Sequence, residues 1–237
     1  KKGNNRYTKP ILFIGTLAVT LSVAVMLLSI MITTGFKNQI TEKIIGFGGD
    51  VVVTSFVNNH SYESVPIKKN QSLIAELQSN ENIVNISSFA TKAGVLKNEN
   101  EILGVVLKGV SSNYNWDFFN KNIVKGKTFN LSDSTSSNSI IISEQVAKNL
   151  NLSLGEYVFM YFAQDPPRVR KFLIHGIFST SFSDFDDLFV IADIRQIQKL
   201  NDWKPSQIGG LEIKVNDFRK LDEVAEFVHN KTDYNLK

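Results

Sequence analysis

From Pro10 to Phe36 the chain carries no charged side chain. Inside that stretch, Ile11 to Ile32 reads ILFIGTLAVTLSVAVMLLSIMI. About 22 such residues form a helix long enough to cross a hydrocarbon core of ~30 Å, at ~1.5 Å per residue. No second run of this kind occurs. A secretory signal has a shorter apolar stretch, about 7–15 residues, followed by a small-residue cleavage site. Here TTGFKNQITEKIIGF comes next instead and continues a helical pattern. The segment is therefore expected to stay as a membrane anchor.

Charge orients the anchor. Lys1, Lys2, Arg6 and Lys9 precede it, with no acid among them. By the positive-inside rule residues 1–9 are a cytoplasmic tail and the chain after Phe36 lies outside. The formal net charge is +3; without the tail's four cations about −1 is left for the rest. A nucleic-acid binder needs a basic face on its folded part, so that class loses its support. Mean hydropathy is −0.06, which excludes a polytopic bundle. Hydrophobic residues at 43% exclude a disordered tail. With no cysteine there is no disulfide framework, thiolate metal site or cysteine nucleophile.

Within the span Gly15, Ser22 and Ser29 recur every seven residues, with Ala18 and Thr33 near the same stripe. Small residues in line let another transmembrane helix approach closely, so these three are candidate helix-packing residues. Beyond the span, Phe36, Ile40 and Ile44 fall at i, i+4 and i+8, among Lys37, Glu42 and Lys43. This amphipathic pattern predicts a helical stalk over 37–48, ended by Gly46, Gly48 and Gly49.

About 190 residues remain, enough for one core or two small ones. Asp50–Phe56 is a Val-rich strand signal, and Lys69–Ser79, with Leu73, Ile74 and Leu77 on one face, predicts a helix. Ile83–Ala90 and Glu101–Val110 read as strands joined by a turn at Lys97–Asn100. A loop-rich stretch comes next, with a Ser-rich excursion at Leu131–Asn138. Ser139–Ile142 is a short strand, and Ser143 caps a helix carrying Val146, Ala147 and Leu150. Glu156–Phe162 and Val169–Phe178 read as a hairpin, its tip stiffened by Pro166 and Pro167. Asp187–Ala192 is a strand, and Asp193 caps a helix with Ile194, Ile197 and Leu200. Leu211–Val215 is the last strand, after which Asp217 caps a helix with Leu221, Val224, Ala225 and Val228. This final βα unit can pair with the first. The fold class is α+β, in two subdomains, with no short repeat.

Catalytic chemistry is hard to find. His60, His175 and His229 are far apart, and no HExxH, Walker A or GxSxG pattern occurs. The chain is not expected to be an enzyme. Asp184, Asp186 and Asp187 alternate with Phe182, Phe185 and Phe189, which reads as a solvated turn rather than a metal loop. No catalytic, cofactor or metal residue is assigned. The hairpin tip DPPRVRK is rigid and cationic; Asp165, Pro166, Pro167, Arg168 and Arg170 are candidates for a partner contact.

The order of parts resembles the start of an FtsX/MacB-type ABC transporter permease, most closely the permease subunits of the lipoprotein-releasing (Lol-type) system. Three passages carry the resemblance. TTGFKNQITEKI is similar to the family's helix exit, with Thr34 where Asn is common. Ile140–Val158 (IIISEQVAKNLNLSLGEYV) is similar to its strand, small helix and Gly-acid passage. Phe172–Leu200 (FLIHGIFSTSFSDFDDLFVIADIRQIQKL) is similar to its GIF…D strand and helix. The resemblance implies a transmembrane helix at 10–36 and a MacB-like periplasmic core. That core would have a porter-like subdomain at 49–110 and 208–237, with a Sabre-like insertion at 111–207.

It also implies a chain that continues past Lys237 into three more membrane helices. It implies an inner-membrane location and mechanotransmission driven by a separate ATPase subunit that binds ATP and Mg. A second permease subunit, lipoprotein cargo and a periplasmic carrier are the further partners implied. Met26, Phe36 and Ile40 would face lipid or cargo. The hairpin around Pro166 is short beside the family's carrier-gripping hook. A MacB-like exporter or an FtsX-like division regulator would look similar. From another class, so would the outer sensor domain of a membrane receptor. Three membrane spans beyond Lys237 would mark a permease, and one span with a signalling domain would mark a sensor.

Overall fold

The computed structural model describes residues 5–55, 62–98, 101–132 and 135–232. The chain divides into two compact units, one up to Ile44 and one from Ile45 on. Helix α1 (Asn5–Gly48) contains the whole charge-free run and the amphipathic stretch after it. Among the described residues it is the one helix long and apolar enough to cross a membrane. Thr16, Thr20 and Ser22 bond back inside the helix. Thr20 Oγ1 donates to the Thr16 carbonyl at 2.8 Å, and Ser22 Oγ to the Ala18 carbonyl at 2.8 Å. In lipid no water would satisfy them, so this back-bonding removes a desolvation cost.

The second unit is built on a nine-stranded sheet. Its strands are β1 (Val51–Thr54), β3 (Ile83–Lys97), β4 (Ile102–Val110), β5 (Ile123–Gly126), β6 (Ser139–Ser143), β7 (Tyr157–Phe162), β8 (Arg168–Phe178), β9 (Phe189–Asp193) and β11 (Gly210–Val215). Strands β2 (Ile67–Lys68) and β10 (Gln207–Ile208) form a separate pair. The helices are α2 (Gln71–Gln78), α3 (Asp117–Asn122), α4 (Glu144–Asn149), α5 (Ser183–Asp186), α6 (Ile194–Leu200) and α7 (Leu221–Lys231).

The strand order is β1-β11-β3-β4-β9-β6-β8-β5, and β7 pairs with both β3 and β8. Strands β3, β4, β9, β6, β8 and β7 therefore close on themselves as a ring, which leaves no free edge among them. The main core includes Leu96, Leu107, Ile140, Ile142, Met160, Phe172 and Val190, all buried. Gly94 is required by this closure. A Cβ there would lie 2.7 Å from Met160 Cε and 3.0 Å from Phe162 Cε1.

The first and last βα units do join. Strand β11 inserts between β1 and β3, antiparallel to both. Leu211, Ile213 and Val215 of β11 share the main core with Leu77 of α2 and with Val224 and Val228 of α7. The two helices are tied by Lys231 Nζ to Glu76 Oε1 at 2.6 Å.

The caps read from sequence are present. Ser143 Oγ accepts from Val146 N and Asp193 Oδ1 from Arg195 N, both at 2.9 Å. Asp217 caps a 3-10 turn, Phe218–Lys220, that precedes α7 rather than α7 itself. Four expectations need correction. The strand starting at Ile83 does not end at Ala90 but runs to Lys97, because its second half pairs with β4 and then β7. The stretch after Val110, read as loop, holds α3 and β5; an apolar period over so few residues is too short to see. The strand expected from Asp187 begins at Phe189, after the single turn of α5. The first strand spans only Val51–Thr54. Phe56, His60, the end of the Lys97–Asn100 turn and Lys1 and Lys2 of the tail lie outside the described residues.

Candidate functional site at the helix exit

The last turn of α1, Ile45–Gly48, belongs to the outer unit. Gly49 ends it at φ +79°, and its N–H donates to the Ile45 carbonyl at 2.9 Å. This is the left-handed stop that glycine accommodates without a Cβ penalty. A Cβ at Gly49 would also press on the Ile213 carbonyl at 3.3 Å. The next residue is locked to β11: Asp50 N donates to the Ile213 carbonyl at 2.9 Å, and Val215 N donates to Asp50 Oδ2 at 2.7 Å.

Phe47 is buried in a second, aromatic core. Its ring stacks on Phe185 at 4.3 Å and meets Phe189 and Phe119 at 4.8 and 5.9 Å. Tyr114, Trp116, Phe119 and Phe129 continue the cluster, and Phe178, Ile141 and Ile191 floor it. Much of it comes from the 111–131 stretch. Gly46 is needed beside it, because a Cβ there would meet the Phe118 ring.

A buried ion pair completes the exit. Lys108 of β4 and Glu212 of β11 are 2.7 Å apart, with side chains 3% and 6% exposed. Lys108 Nζ also donates to the Phe47 carbonyl at 2.5 Å and sits 4.4 Å from the centre of the Phe47 ring. One ammonium thus serves three partners: a carboxylate, the carbonyl end of a helix and a π face. A cation at that end also complements the helix dipole. Burial, and then the Glu212 charge, push the Tyr114 phenol well above its usual range, so it stays neutral. Since 107 and 109 face the other way along β4, Lys108 and Glu212 lie on the sheet face opposite α2 and α7.

The residues singled out from sequence fall elsewhere. Gly15, Ser22, Ser29, Met26 and Phe36 are exposed on α1 and Ile40 is half-buried. At 100° per residue all six lie within an arc of about 80°, so the small stripe and the apolar positions share one face. At the hairpin tip, Arg168 forks onto Asp202 at 2.6 and 3.0 Å and donates to the Lys199 and Leu200 carbonyls. This holds the Asp202 carboxyl below its usual range. Arg168 therefore ties β8 to the end of α6, while Arg170 donates to the Val169 carbonyl beside it. Asp165, Pro166 and Pro167 are exposed.

Asp186 is buried and its two oxygens accept from Thr180 and Ser181, so it braces the loop before α5. No group of three or more potential metal ligands occurs among the described residues. His175 is half-buried, edge-on to Phe129, and His229 is exposed on α7. Sequence reasoning missed Phe47, Lys108 and Glu212. The available signal was the lone charge of Lys108 in the otherwise apolar β4, which rarely stays buried without a partner; β11 carries Lys214 as well as Glu212 and gave no such signal.

Residues 12–230 match the MacB-like periplasmic core domain family. The chain is 24% identical over 220 residues to the lipoprotein-releasing system transmembrane protein LolC of Buchnera aphidicola, covering 89% of this chain and 52% of that protein. It is 21% identical over 209 residues to LolE of Haemophilus influenzae, covering 85% and 49%. The chain thus spans about half the length of these curated relatives. Among solved structures, the periplasmic region of MacB from Actinobacillus actinomycetemcomitans aligns with TM-score 0.53 at 17% identity, over 83% of this chain and 91% of that one. The extracellular domain of the transporter YknZ from Gram-positive bacteria aligns with TM-score 0.52 at 14% identity, over 79% and 97%. The α+β fold is theirs, and a match over nearly the whole chain settles the wider group: this chain belongs to the MacB-like periplasmic core domain family.

Proposed function

We propose that the chain is the membrane-anchored permease part of an ABC transporter that releases lipoproteins from the bacterial inner membrane. What carries the reading is its likeness, along most of its length, to two proteins named for lipoprotein release. Residues 1–9 lie in the cytoplasm and the unit from Ile45 on lies in the periplasm. ATP and Mg belong to a separate ATPase subunit, and a second permease subunit completes the pair.

The helix exit supplies the mechanics. The last turn of α1 is part of the outer unit's aromatic core, so a displacement of the helix end must move that core or break it. Lys108 resists the break, because taking the Phe47 carbonyl away leaves its buried ammonium short of a hydrogen-bond partner. Motion started by the ATPase therefore reaches the strands that hold Lys108 and Glu212. Gly15, Ser22 and Ser29 pack against a neighbouring helix, Met26, Phe36 and Ile40 meet lipid or cargo, and the tip at Asp165–Arg170 faces a carrier.

The test is reconstitution of the full permease with its ATPase in proteoliposomes carrying a fluorescent lipoprotein. ATP-dependent release of that lipoprotein to a soluble acceptor is expected. ATP turnover with export of soluble peptides, and no lipoprotein released, would replace this reading with a MacB-like exporter.

A further inference from the structure

Strand β7 alternates strictly. Val158, Met160 and Phe162 point into the core, while Tyr157, Phe159 and Tyr161 are exposed, at 58%, 45% and 42%. Three aromatics in line on an outer sheet face are unusual, because such rings normally find cover. The register shows what surrounds them. Phe159 lies opposite Lys97 of β3 on one side and Lys171 of β8 on the other. Tyr161 lies between Val95 and Val169, and Tyr157 lies opposite Leu173. Beyond Lys97, Ile102 of β4 extends the apolar surface. Lys171 Nζ stands 4.3 Å from the Tyr157 ring centre and 5.9 Å from that of Phe159. None of the residues in these rows is acidic.

We infer that this face docks an extended acidic segment of a partner protein whose sheet-facing side chains, every second residue, run apolar, acidic, apolar. The spacing supports it. Same-face side chains on β7 repeat every two residues, about 6.6 Å, over a stripe of about 13 Å. An extended segment laid along the stripe presents its own side chains at that repeat. Its apolar side chains cover the aromatic rings, and its carboxylates reach the ammonium groups of Lys97 and Lys171. The complementarity is one-sided, since the face supplies cations and no anion. A membrane surface fits less well, because each basic residue near anionic lipid contributes only about 1 kcal/mol and the rows hold two. This docking is independent of the lipoprotein reading and involves neither the helix exit nor the hairpin tip.

The experiment uses the full chain in phosphatidylcholine nanodiscs and fluorescence anisotropy. The probes are a labelled peptide whose every second residue runs leucine, aspartate, leucine, with serine between, and its counterpart with lysine in place of aspartate; empty nanodiscs are the blank. The acidic peptide is expected to bind at least tenfold more tightly than the basic one. Phe159→Ser should weaken it at least tenfold, and Lys97→Glu with Lys171→Glu should reverse the preference. The three positions are exposed, and unchanged far-UV circular dichroism verifies each fold; the charge-reversed chain supplies the test if the serine variant misfolds. Equal binding of both peptides, or acidic binding untouched by either variant, overturns the proposal. So does absence of peptide binding together with capture of phosphatidylglycerol vesicles, which assigns the face to lipid.

Discussion

At the scale of single residues, Lys108 has the largest consequence. Its ammonium is buried with Glu212 and the Phe47 carbonyl, and a buried pair broken on one side costs about 3–5 kcal/mol. Lys108→Met is expected to destabilise the outer unit by that order, read from the urea midpoint of the detergent-solubilised chain. Adding Glu212→Leu removes the stranded charge and should recover most of the loss. If the double variant is no more stable than the single, the ion pair is not what holds the site. The sequence around Lys108 shows a lone charge in an apolar strand but not the partners that hold it. Its partner is about a hundred positions away, and its third contact is a backbone carbonyl, which leaves no mark in residue identity.

At the scale of elements, α1 and the β7–β8 hairpin make separate predictions. Thr41 lies within the helical run that leads to the exit. Proline there removes a backbone hydrogen bond and collides with the preceding turn. Thr41→Pro is expected to leave ATP turnover in place while lipoprotein release falls; measuring both in one proteoliposome preparation decides it, and unchanged release would count against the transmission role. The hairpin is held to α6 by Arg168 and Asp202. Arg168, by its hydrogen bonds, keeps the Asp202 carboxyl below its ordinary range, near ~3.9 in an unfolded chain. The contribution is therefore complete above that range and lost as pH falls through the folded value. The pair is exposed, so the effect is local. Protection of the β7 and β8 amides, taken relative to their intrinsic exchange rate at each pH, should fall on acidification in the native chain and lose that dependence in Asp202→Asn.

At the scale of the whole outer unit, the ring of six strands joins the two cores. Strands β4, β6, β8 and β9 give residues to both: Leu107 and Val110, Ile140 and Ile141, Ile174 and Phe178, Val190 and Ile191. One sheet cannot lose either layer alone without exposing the other side of the same strands. The unit should therefore unfold in one step. Trp116 packs on the aromatic core and Trp203 on the main one. Single-tryptophan variants, Trp116→Phe and Trp203→Phe, should give coincident urea transitions; two separated midpoints would mean that the layers melt independently.

The sequence by itself determined whatever depends on neighbours a few positions apart. The charge-free run, the seven-residue stripe and the Ser143 and Asp193 caps are local patterns, and each is present in the fold. The three passages that resemble a known family belong here too, since they pointed to the family that residues 12–230 match. Only the tertiary structure decided how the strands close, which apolar runs are covered on both faces, and that the end of α1 is seated on an ion pair. Those outcomes rest on pairings such as Lys97 with Phe159 and on the meeting of Lys108 with Glu212. Such partners lie tens to about a hundred residues apart, and their selection comes from the joint burial of two layers on one sheet, which no local pattern encodes.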